Sequence, residues 1–352
     1  MPLLPAPQFT ESIRRQGGQM QWTAIGSGLF CPVAVCPKPE HITLFARGAT
    51  GELLFKEWEG TEWSEFRSLG IPIAHREASL GSVPAGWLFS ACSGEPDRID
   101  LFAGSPDGEL LHMARTGGQW GAFECLGAPA MMRGSIAIPL GLAGPPAACS
   151  GRPGRIDVFV AGHSGELLHT WSNGGDWSPF ESLGAPTVRI AETQQPLPLS
   201  GPLAACSCGI DRIGVFIRGP LGDLQLKWWD GKHWSEFASL GWPQVLDEIY
   251  PAVTVAVPLA GPPAACSWGP GRMDVFARGP DGDLLHKRWD GRVWGPFECL
   301  GMPTARDPEP RCIPFTGAVT ACTWGANRVD VFARALDENL YHAWWDGSWD
   351  HD

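Results

Sequence analysis

The sequence has almost no tyrosine, no long apolar run and an excess of acidic over basic residues. Of 352 residues only 2 are Tyr, whereas 18 are Trp. No segment approaches the roughly 20 apolar residues of a membrane helix, and the first residues lack the charged and apolar regions of a signal peptide. A net charge of −12 argues against nucleic acid as a partner. We expect no membrane insertion, and a protein that is cytoplasmic or released without a conventional signal peptide.

Catalytic and metal-binding motifs are missing as well. The sequence contains no GxSxG, no P-loop and no HExxH, and its 11 cysteines include no CxxC pair. We therefore predict no catalytic residue, no cofactor and no metal site, and the sequence favours a binding protein over an enzyme. It leaves the oligomeric state open.

The sequence contains a repeat in six copies, of which Gly261–Gly301 is the most regular. Four landmarks recur in step, at intervals of 56 to 60 residues. The first is an Asp or its replacement: Thr43, Asp100, Asp157, Gly214, Asp274 and Asp330. The second follows 12 residues later: Phe55, His112, His169, Leu226, His286 and His342. A Trp and a closing Leu-Gly follow in the first five copies: Trp63, Trp120, Trp177, Trp234 and Trp294, then Gly70, Gly127, Gly184, Gly241 and Gly301.

Turn and strand signals within each copy predict a four-stranded antiparallel meander of about forty residues. Such a sheet cannot bury both faces alone, so we predict an all-β, six-bladed β-propeller as a single domain over residues 1–352. The repeats cover about 29–70, 87–127, 144–184, 201–241, 261–301 and 317–352. The last copy ends before a full outer strand, and Gln21–Gly28 (QWTAIGSG) echoes the outer strand Trp63–Gly70 (WSEFRSLG). We expect residues 19–28 to close the ring; a linear β-solenoid is the alternative.

A fifth landmark is a cysteine eight residues before the Asp position. It occurs in five copies: Cys92, Cys149, Cys206, Cys266 and Cys322. Equivalent positions on neighbouring blades point the same way around the ring, so we expect these cysteines to be small apolar residues of the innermost strands and not disulfide partners. An odd cysteine count fits a reducing compartment.

The Asp/His pairs are the strongest candidates for a functional role. They occur as Asp100/His112, Asp157/His169, Asp274/His286 and Asp330/His342, and where the Asp is replaced the His is replaced too. This joint loss predicts that the two side chains touch across neighbouring strands. Three interpretations stay open: a structural tie between strands or blades, a polar floor for a ligand between blades, and a repeated catalytic dyad.

Tryptophans form the second group of candidates. The five that recur at one position are interpreted mainly as packing residues. Trp289 and Trp344 near the third-strand hairpin, and Trp268 and Trp324 in the loop after the first strand, are candidates for ligand contact, with packing as the equal alternative for the loop pair. A Trp face beside carboxylate and imidazole groups suits a pyranose, whose C–H face stacks while its hydroxyls bind the polar groups.

The phrases SWGPGRMDVFARGPDGDLLHKRWDG (Ser267–Gly291) and WSPFESLG (Trp177–Gly184) resemble the repeat of the PLL-type bacterial β-propeller lectins and, more distantly, that of the six-bladed fungal fucose lectins. The resemblance covers nearly the whole chain and implies binding of fucose-like or O-methylated sugars in pockets between blades. Two features depart from it: the PLL-type lectins have seven shorter repeats, and the Arg and Glu of the fungal fucose site align with Asp274 and His286.

These observations lead to a lectin as the first hypothesis, with glycans as partners and up to four sites between blades. The second is a lectin-fold enzyme or small-molecule binder, suited to a cyclisation or pericyclic step. Its single pocket would lie over the central channel under the five non-repeating connectors, with these candidate polar groups: Tyr250, Arg133, Arg189, Glu248 and His75. A protein-interaction propeller is the third, supported by fold analogy alone.

Overall fold

A computed structural model describes residues 21–71, 89–105, 107–133, 136–190, 193–199, 201–246, 253–305 and 311–347. Within these ranges the regular structure is entirely β, and there is no helix that would cross a membrane. The strands form six antiparallel sheets, five of four strands and one of five, with small two-stranded sheets between them. The six-bladed propeller predicted from the repeat is confirmed.

The first three blades follow the predicted order from the inner to the outer strand. Blade 1 consists of Phe30–Lys38, His41–Arg47, Leu53–Glu59 and Arg67–Ser68. Blade 2 consists of Phe89–Cys92, Ile99–Gly104, Leu110–Thr116 and Glu124–Gly127, with Gln119–Trp120 also paired to its third strand. Blade 3 consists of Ala147–Arg152, Arg155–Ala161, Leu167–Ser172 and Glu181–Ser182.

Blades 4 and 5 repeat this order, and blade 6 takes its outer strand from the beginning of the chain. Blade 4 consists of Leu203–Ser207, Ile213–Arg218, Leu224–Trp229 and Ala238–Ser239. Blade 5 consists of Ala264–Cys266, Met273–Arg278, Leu284–Trp289 and Glu298–Gly301. Blade 6 consists of Phe315–Cys322, Val329–Ala335, Asn339–Trp345 and Thr23–Ser27.

The ring closes through the N-terminal strand, as the echo of the outer-strand sequence predicts. Thr23–Ser27 pairs antiparallel with Asn339–Trp345, in a register that places Thr23 opposite His342. Blades 1 and 6 also meet at their inner strands, where the backbone N–H of Ala34 donates to Thr320 Oγ1 at 3.1 Å. Closure in this way leaves neither end of the blade series with an open sheet edge.

The core of the protein lies between the blades and not within any one of them. Each of the six clusters of buried apolar residues draws its members from two neighbouring blades. The second strands lie at the centre of these clusters, which is why they read as continuous apolar runs: in Ile99–Gly104 every residue is buried. One Phe of each second strand is fully buried: Phe45, Phe102, Phe159, Phe216, Phe276 and Phe332. Each blade is therefore stabilised by its neighbours.

In blades 3 and 4 the turn between the second and third strands contacts the connector that follows the blade. Gly165 and Gly222 have φ of +81° and +82°, and a Cβ on either would lie 2.4 Å from Pro198 or Pro258. Only glycine combines this conformation with so close an approach. The carbonyl of Gly222 also accepts a hydrogen bond of 2.8 Å from the backbone N–H of Leu259.

The connectors contain structure that the sequence did not predict. Four of the five form a two-stranded antiparallel hairpin. The hairpins are Ala130–Arg133 with Ile136–Pro139, Thr187–Ile190 with Thr193–Pro196, Gln244–Leu246 with Thr254–Ala256, and Thr304–Ala305 with Arg311–Cys312. The fifth connector lies largely outside the described residues.

The inner strands surround a narrow channel of about 120 Å³. Alanine repeats around its wall, at Ala34, Ala91, Ala148, Ala205, Ala265 and Ala321. The repeated cysteines lie one residue further along and are buried, with Cys149 opposite Asp157 on the second strand. In the part of the chain that the structure describes all cysteines are free thiols. Burial raises the pKa of the Cys149 thiol well above its usual value, which leaves it a poor nucleophile.

Candidate functional site

The paired Asp and His side chains touch in all four blades that have them. The Nε2–Oδ1 distance is 2.8 Å in His112/Asp100 and His286/Asp274, and 2.9 Å in the other two pairs, His169/Asp157 and His342/Asp330. The Asp and the His are replaced together in the other two blades, which predicted that the two side chains touch. The structure shows this contact. Their role as ligand-binding residues stays a prediction.

Each pair belongs to a longer row that the sequence analysis missed. In blade 2 the guanidinium of Arg98 donates two hydrogen bonds to Asp100, at 2.7 and 2.8 Å, and the Nδ1 atom of His112 lies 2.6 Å from Glu124. We call this set Arg98, Asp100, His112 and Glu124 the polar row of blade 2. Blade 3 has the same row in Arg155, Asp157, His169 and Glu181.

Blades 5 and 6 keep most of the row. In blade 5 the Nδ1 atom of His286 lies 3.6 Å from Glu298, while the guanidinium of Arg272 lies 5.4 Å from the centre of the Trp268 ring. In blade 6 Arg328 donates two hydrogen bonds to Asp330, at 2.8 and 2.9 Å. No Glu completes that row, because Thr23 of the closing strand stands opposite His342.

In blades 2 and 3 the middle of the row is buried and its two ends reach the solvent. In blade 2 the side chains of Asp100 and His112 are 0% and 7% exposed, whereas those of Arg98 and Glu124 are 34% and 62% exposed. Both oxygens of Asp100 already accept hydrogen bonds from protein groups. The groups available to a ligand are therefore the arginine and the glutamate.

Hydrogen bonds shift the pKa of Asp100 in blade 2 and of His286 in blade 5. Burial raises the pKa of Asp100, but hydrogen bonds from His112 and Arg98 lower it by more, so the carboxyl pKa is below its usual value. Burial lowers the pKa of His286, and its hydrogen bonds to Asp274 and Glu298 raise it by more. In blades 2 and 3 the imidazole contacts a carboxylate through both ring nitrogens.

In three of the four blades with an Asp/His pair, the recurring tryptophan of the next blade covers the His. The His112 ring stacks on Phe102 at 4.8 Å, and Trp177 of blade 3 meets both rings edge-on at 5.7 and 5.6 Å. Trp234 covers Phe159 and His169 of blade 3 in the same way, and Trp63 covers the pair of blade 6. The interpretation of these tryptophans as packing residues agrees with these contacts.

A pocket opens between blades 2 and 3 at the exposed ends of the row. It has a volume of about 140 Å³, and blade 2 lines it with Glu95, Arg98, His112 and Glu124. Blade 3 contributes Trp177 and the glycine-rich hairpin around Gly174. A cation, two carboxylates and an aromatic ring thus face one small concavity, which is a suitable environment for a polyhydroxylated ring.

Of the four other predicted tryptophans, Trp268 and Trp324 lie at equivalent places around the ring, whereas Trp289 and Trp344 stand 15 and 14 residues after the Asp position. By the repeat register Trp268 and Trp324 occupy the position of Gly94, which lines the pocket between blades 2 and 3. Trp268 packs 5.9 Å from Trp345, and the Arg328 guanidinium lies 5.3 Å from Trp324 and 5.1 Å from Trp344. Trp289 lines a pocket between blades 4 and 5.

The second hypothesis places its ligand over the central channel. The channel is small, and its described walls are mainly Ala and Pro of the inner strands. Tyr250, Glu248 and His75 lie outside the described residues. Arg133 and Arg189 lie on connector hairpins, and the structure describes their backbone alone. Among the described residues no cluster of His, Cys, Asp and Glu suits a metal ion.

Comparison with solved structures finds propeller lectins. The chain is similar to the six-bladed fungal lectin of Aleuria aurantia, with a TM-score of 0.62 and 15% identity over 92% of this chain and 96% of that one. It is similar to AofleA of Arthrobotrys oligospora, with a TM-score of 0.60 and 15% identity over 94% and 89% of the two chains. The BP39L lectin of Burkholderia pseudomallei gives a TM-score of 0.57 and 23% identity over 92% and 85%. Neither a family model nor a curated protein matches the sequence. At these identities the likeness shows the fold alone.

Proposed function

We propose that this protein is a multivalent carbohydrate-binding protein whose sites lie between adjacent blades. The observation that carries the proposal is the pocket between blades 2 and 3, where the exposed ends of a polar row face the tryptophan of the next blade. The row recurs in blades 3, 5 and 6, so one chain offers up to four related sites. Proteins of the same fold support the proposal, since the Aleuria lectin is described by its fucose recognition mode.

The geometry assigns different tasks to the members of a row. The Arg98 guanidinium and the Glu124 carboxylate are the exposed polar groups, so they bind sugar hydroxyls as donor and acceptor. Asp100 and His112 are buried between them and act as positioning residues, which hold the two ends at a set separation. The C–H face of a deoxy sugar such as fucose packs on the aromatic side of the pocket.

Several weak sites on one chain together bind a multivalent surface more tightly than one site does. A pocket of about 140 Å³ is below the range of about 300–1,000 Å³ that encloses most small ligands, so each site holds part of one sugar ring. Several such sites on one rigid ring raise the affinity for a surface that displays many glycans by a factor of about 100 or more. The ligand class that we propose is therefore a fucose-like terminal sugar on a dense glycan.

Titration calorimetry with methyl α-L-fucoside tests this function. We expect binding at more than one and up to four equivalent sites per chain. Arg98→Gln combined with Glu124→Gln removes both exposed ends of one row, so the number of sites falls by one while the remaining sites keep their affinity. Removing two charge-assisted hydrogen bonds weakens that single site by roughly tenfold to a hundredfold.

The matched control is Arg311→Gln, which changes an exposed arginine of a connector hairpin outside the pocket between blades 2 and 3. It leaves the number of sites unchanged. If wild-type protein binds neither this fucoside nor any member of a glycan array, or if the double variant keeps every site, sugars are not held at the polar rows.

A further inference from the structure

The interface between blades 4 and 5 has the same register as the sugar pockets but different chemistry. In blade 4 the Asp, His and Glu of the polar row are replaced by Gly214, Leu226 and Ala238. The arginine of the row is kept, as Arg212, two residues before Gly214. Blade 4 therefore retains the cation of the row and none of the carboxylates that neutralise it elsewhere.

These replacements leave a larger and more apolar pocket. The cavity between blades 4 and 5 has a volume of about 750 Å³, against about 140 Å³ between blades 2 and 3. Leu226 and Trp228 of blade 4 line it, together with Met273, Trp289 and Trp294 of blade 5. Its volume lies in the range that is typical of small-molecule sites.

The packing around the pocket is adapted to the loss of the Asp/His pair. A Cβ on Gly214 would lie 3.0 Å from the ring of Phe216 and 3.2 Å from the Met273 sulfur. In the other blades the equivalent of Met273 is Ile or Val: Ile42, Ile99, Ile156, Ile213 and Val329. Blade 4 has Gly214 where four other blades have Asp, and blade 5 has the flexible Met273 where the others have Ile or Val. The two replacements face each other at this cavity.

Arg212 supplies a positive charge at the rim of this cavity. Among the described residues it forms neither an ion pair nor a side-chain hydrogen bond, unlike Arg98, Arg155 and Arg328. The nearby carboxylate of Asp230 already accepts two backbone N–H groups at 2.8 Å. The thiol of Cys208 also lines the cavity, and burial raises its pKa, so it contributes an apolar surface and no nucleophile.

We propose that this pocket binds an amphipathic organic anion: a flat apolar body lies against the tryptophans, and a carboxylate or a similar anionic group pairs with Arg212. A guanidinium fork binds a carboxylate with two parallel hydrogen bonds, and the indole rings offer large flat surfaces. A sugar suits this cavity poorly, because hydroxyls placed against Leu226 and Met273 would have no partner. The site therefore differs in ligand class from the sugar pockets.

Calorimetry with 2-naphthoate and its neutral analogue 2-naphthamide tests the assignment. We expect one naphthoate site per chain, with weaker binding of the amide. Arg212→Gln changes an exposed side chain and lowers the affinity for naphthoate by roughly tenfold or more, while binding of the amide is unchanged. The matched control Arg292→Gln changes an exposed arginine beside the pocket and leaves both affinities as they are.

A second variant rebuilds the missing pair. Gly214→Asp with Leu226→His and Met273→Ile fills the cavity, neutralises Arg212 and is expected to abolish naphthoate binding. If that variant does not fold, Ile210→Glu places a carboxylate on the rim, at a side chain that is 78% exposed, and should also weaken naphthoate binding. The proposal fails if naphthoate does not bind, if Arg212→Gln binds it as wild type does, or if methyl α-L-fucoside displaces it.

Discussion

Asp157→Ala is expected to lower the free energy of unfolding by about 3–5 kcal/mol, because it removes one partner from a buried charged network. The carboxylate is fully buried and accepts hydrogen bonds from Arg155 at 2.7 and 2.9 Å and from His169 at 2.9 Å. Without it the His169 ring, whose side chain is 3% exposed, loses its partner at Nε2. Urea unfolding of the wild-type protein and of Asp157→Ala measures this difference in the free energy of unfolding.

The stability difference between wild type and Asp157→Ala should depend on pH if it comes from the Asp157 carboxylate. Burial raises the pKa of Asp157, but hydrogen bonds from His169 and Arg155 lower it by more, so the folded pKa lies below the usual value of 3.8. The stabilisation is therefore fully present above about pH 3.8 and is lost as the pH falls through the folded pKa. The difference in the free energy of unfolding between wild type and Asp157→Ala should become smaller in that acidic range.

Two further variants serve as controls for the Asp157 prediction. Asp176→Ala removes an exposed carboxylate from the hairpin of the same blade and should change the stability by no more than about 0.5 kcal/mol. Asp157→Ala with His169→Leu copies the apolar interior of blade 4 and should cost less than the sum of the two single changes. An Asp157→Ala protein as stable as wild type would show that the row does not stabilise the blade.

Deletion of residues 1–28 is expected to lower the melting temperature by about 5 °C and to cause self-association. The deletion removes the outer strand of blade 6 and exposes the edge of Asn339–Trp345. It also removes Trp22, whose ring packs 4.8 Å from Phe315, and the Ile25 carbonyl, which accepts a hydrogen bond from Lys56 at 3.2 Å. The lost apolar burial and pairing amount to roughly 3–5 kcal/mol.

Calorimetry and size-exclusion chromatography measure these two effects of the deletion. A synthetic peptide with the sequence of residues 21–28 should restore the melting temperature and the elution volume of the intact protein, because it supplies the missing strand. A truncated chain that elutes as the intact protein does and has an unchanged melting temperature would contradict the role of this strand in closing the ring.

Most of the fold follows from the sequence because the repeat is regular. Landmarks such as Asp157 and His169 recur in step, so the strand order of one blade predicts that of all six. The similarity of Gln21–Gly28 to the outer strand Trp63–Gly70 was sufficient to place the closing strand. The connector hairpins were not predicted, because strands of two to four residues with no repeated sequence, such as Thr304–Ala305, carry little signal of their own.

The candidate site was predicted only in part. Joint loss of Asp and His indicated their contact, yet Arg98 and Glu124 were missed although a readable signal existed. An Arg stands two residues before the Asp position in five copies, and the Glu stands 12 residues after the His in three. Burial of the pair was not predictable from one blade, because Trp177 of the next blade covers His112.

The central claim is that sugars bind between blades at the exposed ends of the polar rows. Crystals soaked with a methyl α-L-fucoside that carries selenium at the glycosidic position test it directly, since anomalous scattering locates each bound sugar. We predict selenium peaks beside Arg98 and Glu124 and at the equivalent places of blades 3, 5 and 6, with none between blades 4 and 5. A single peak over the central channel beneath the connectors, or no peak between any two blades, would contradict it.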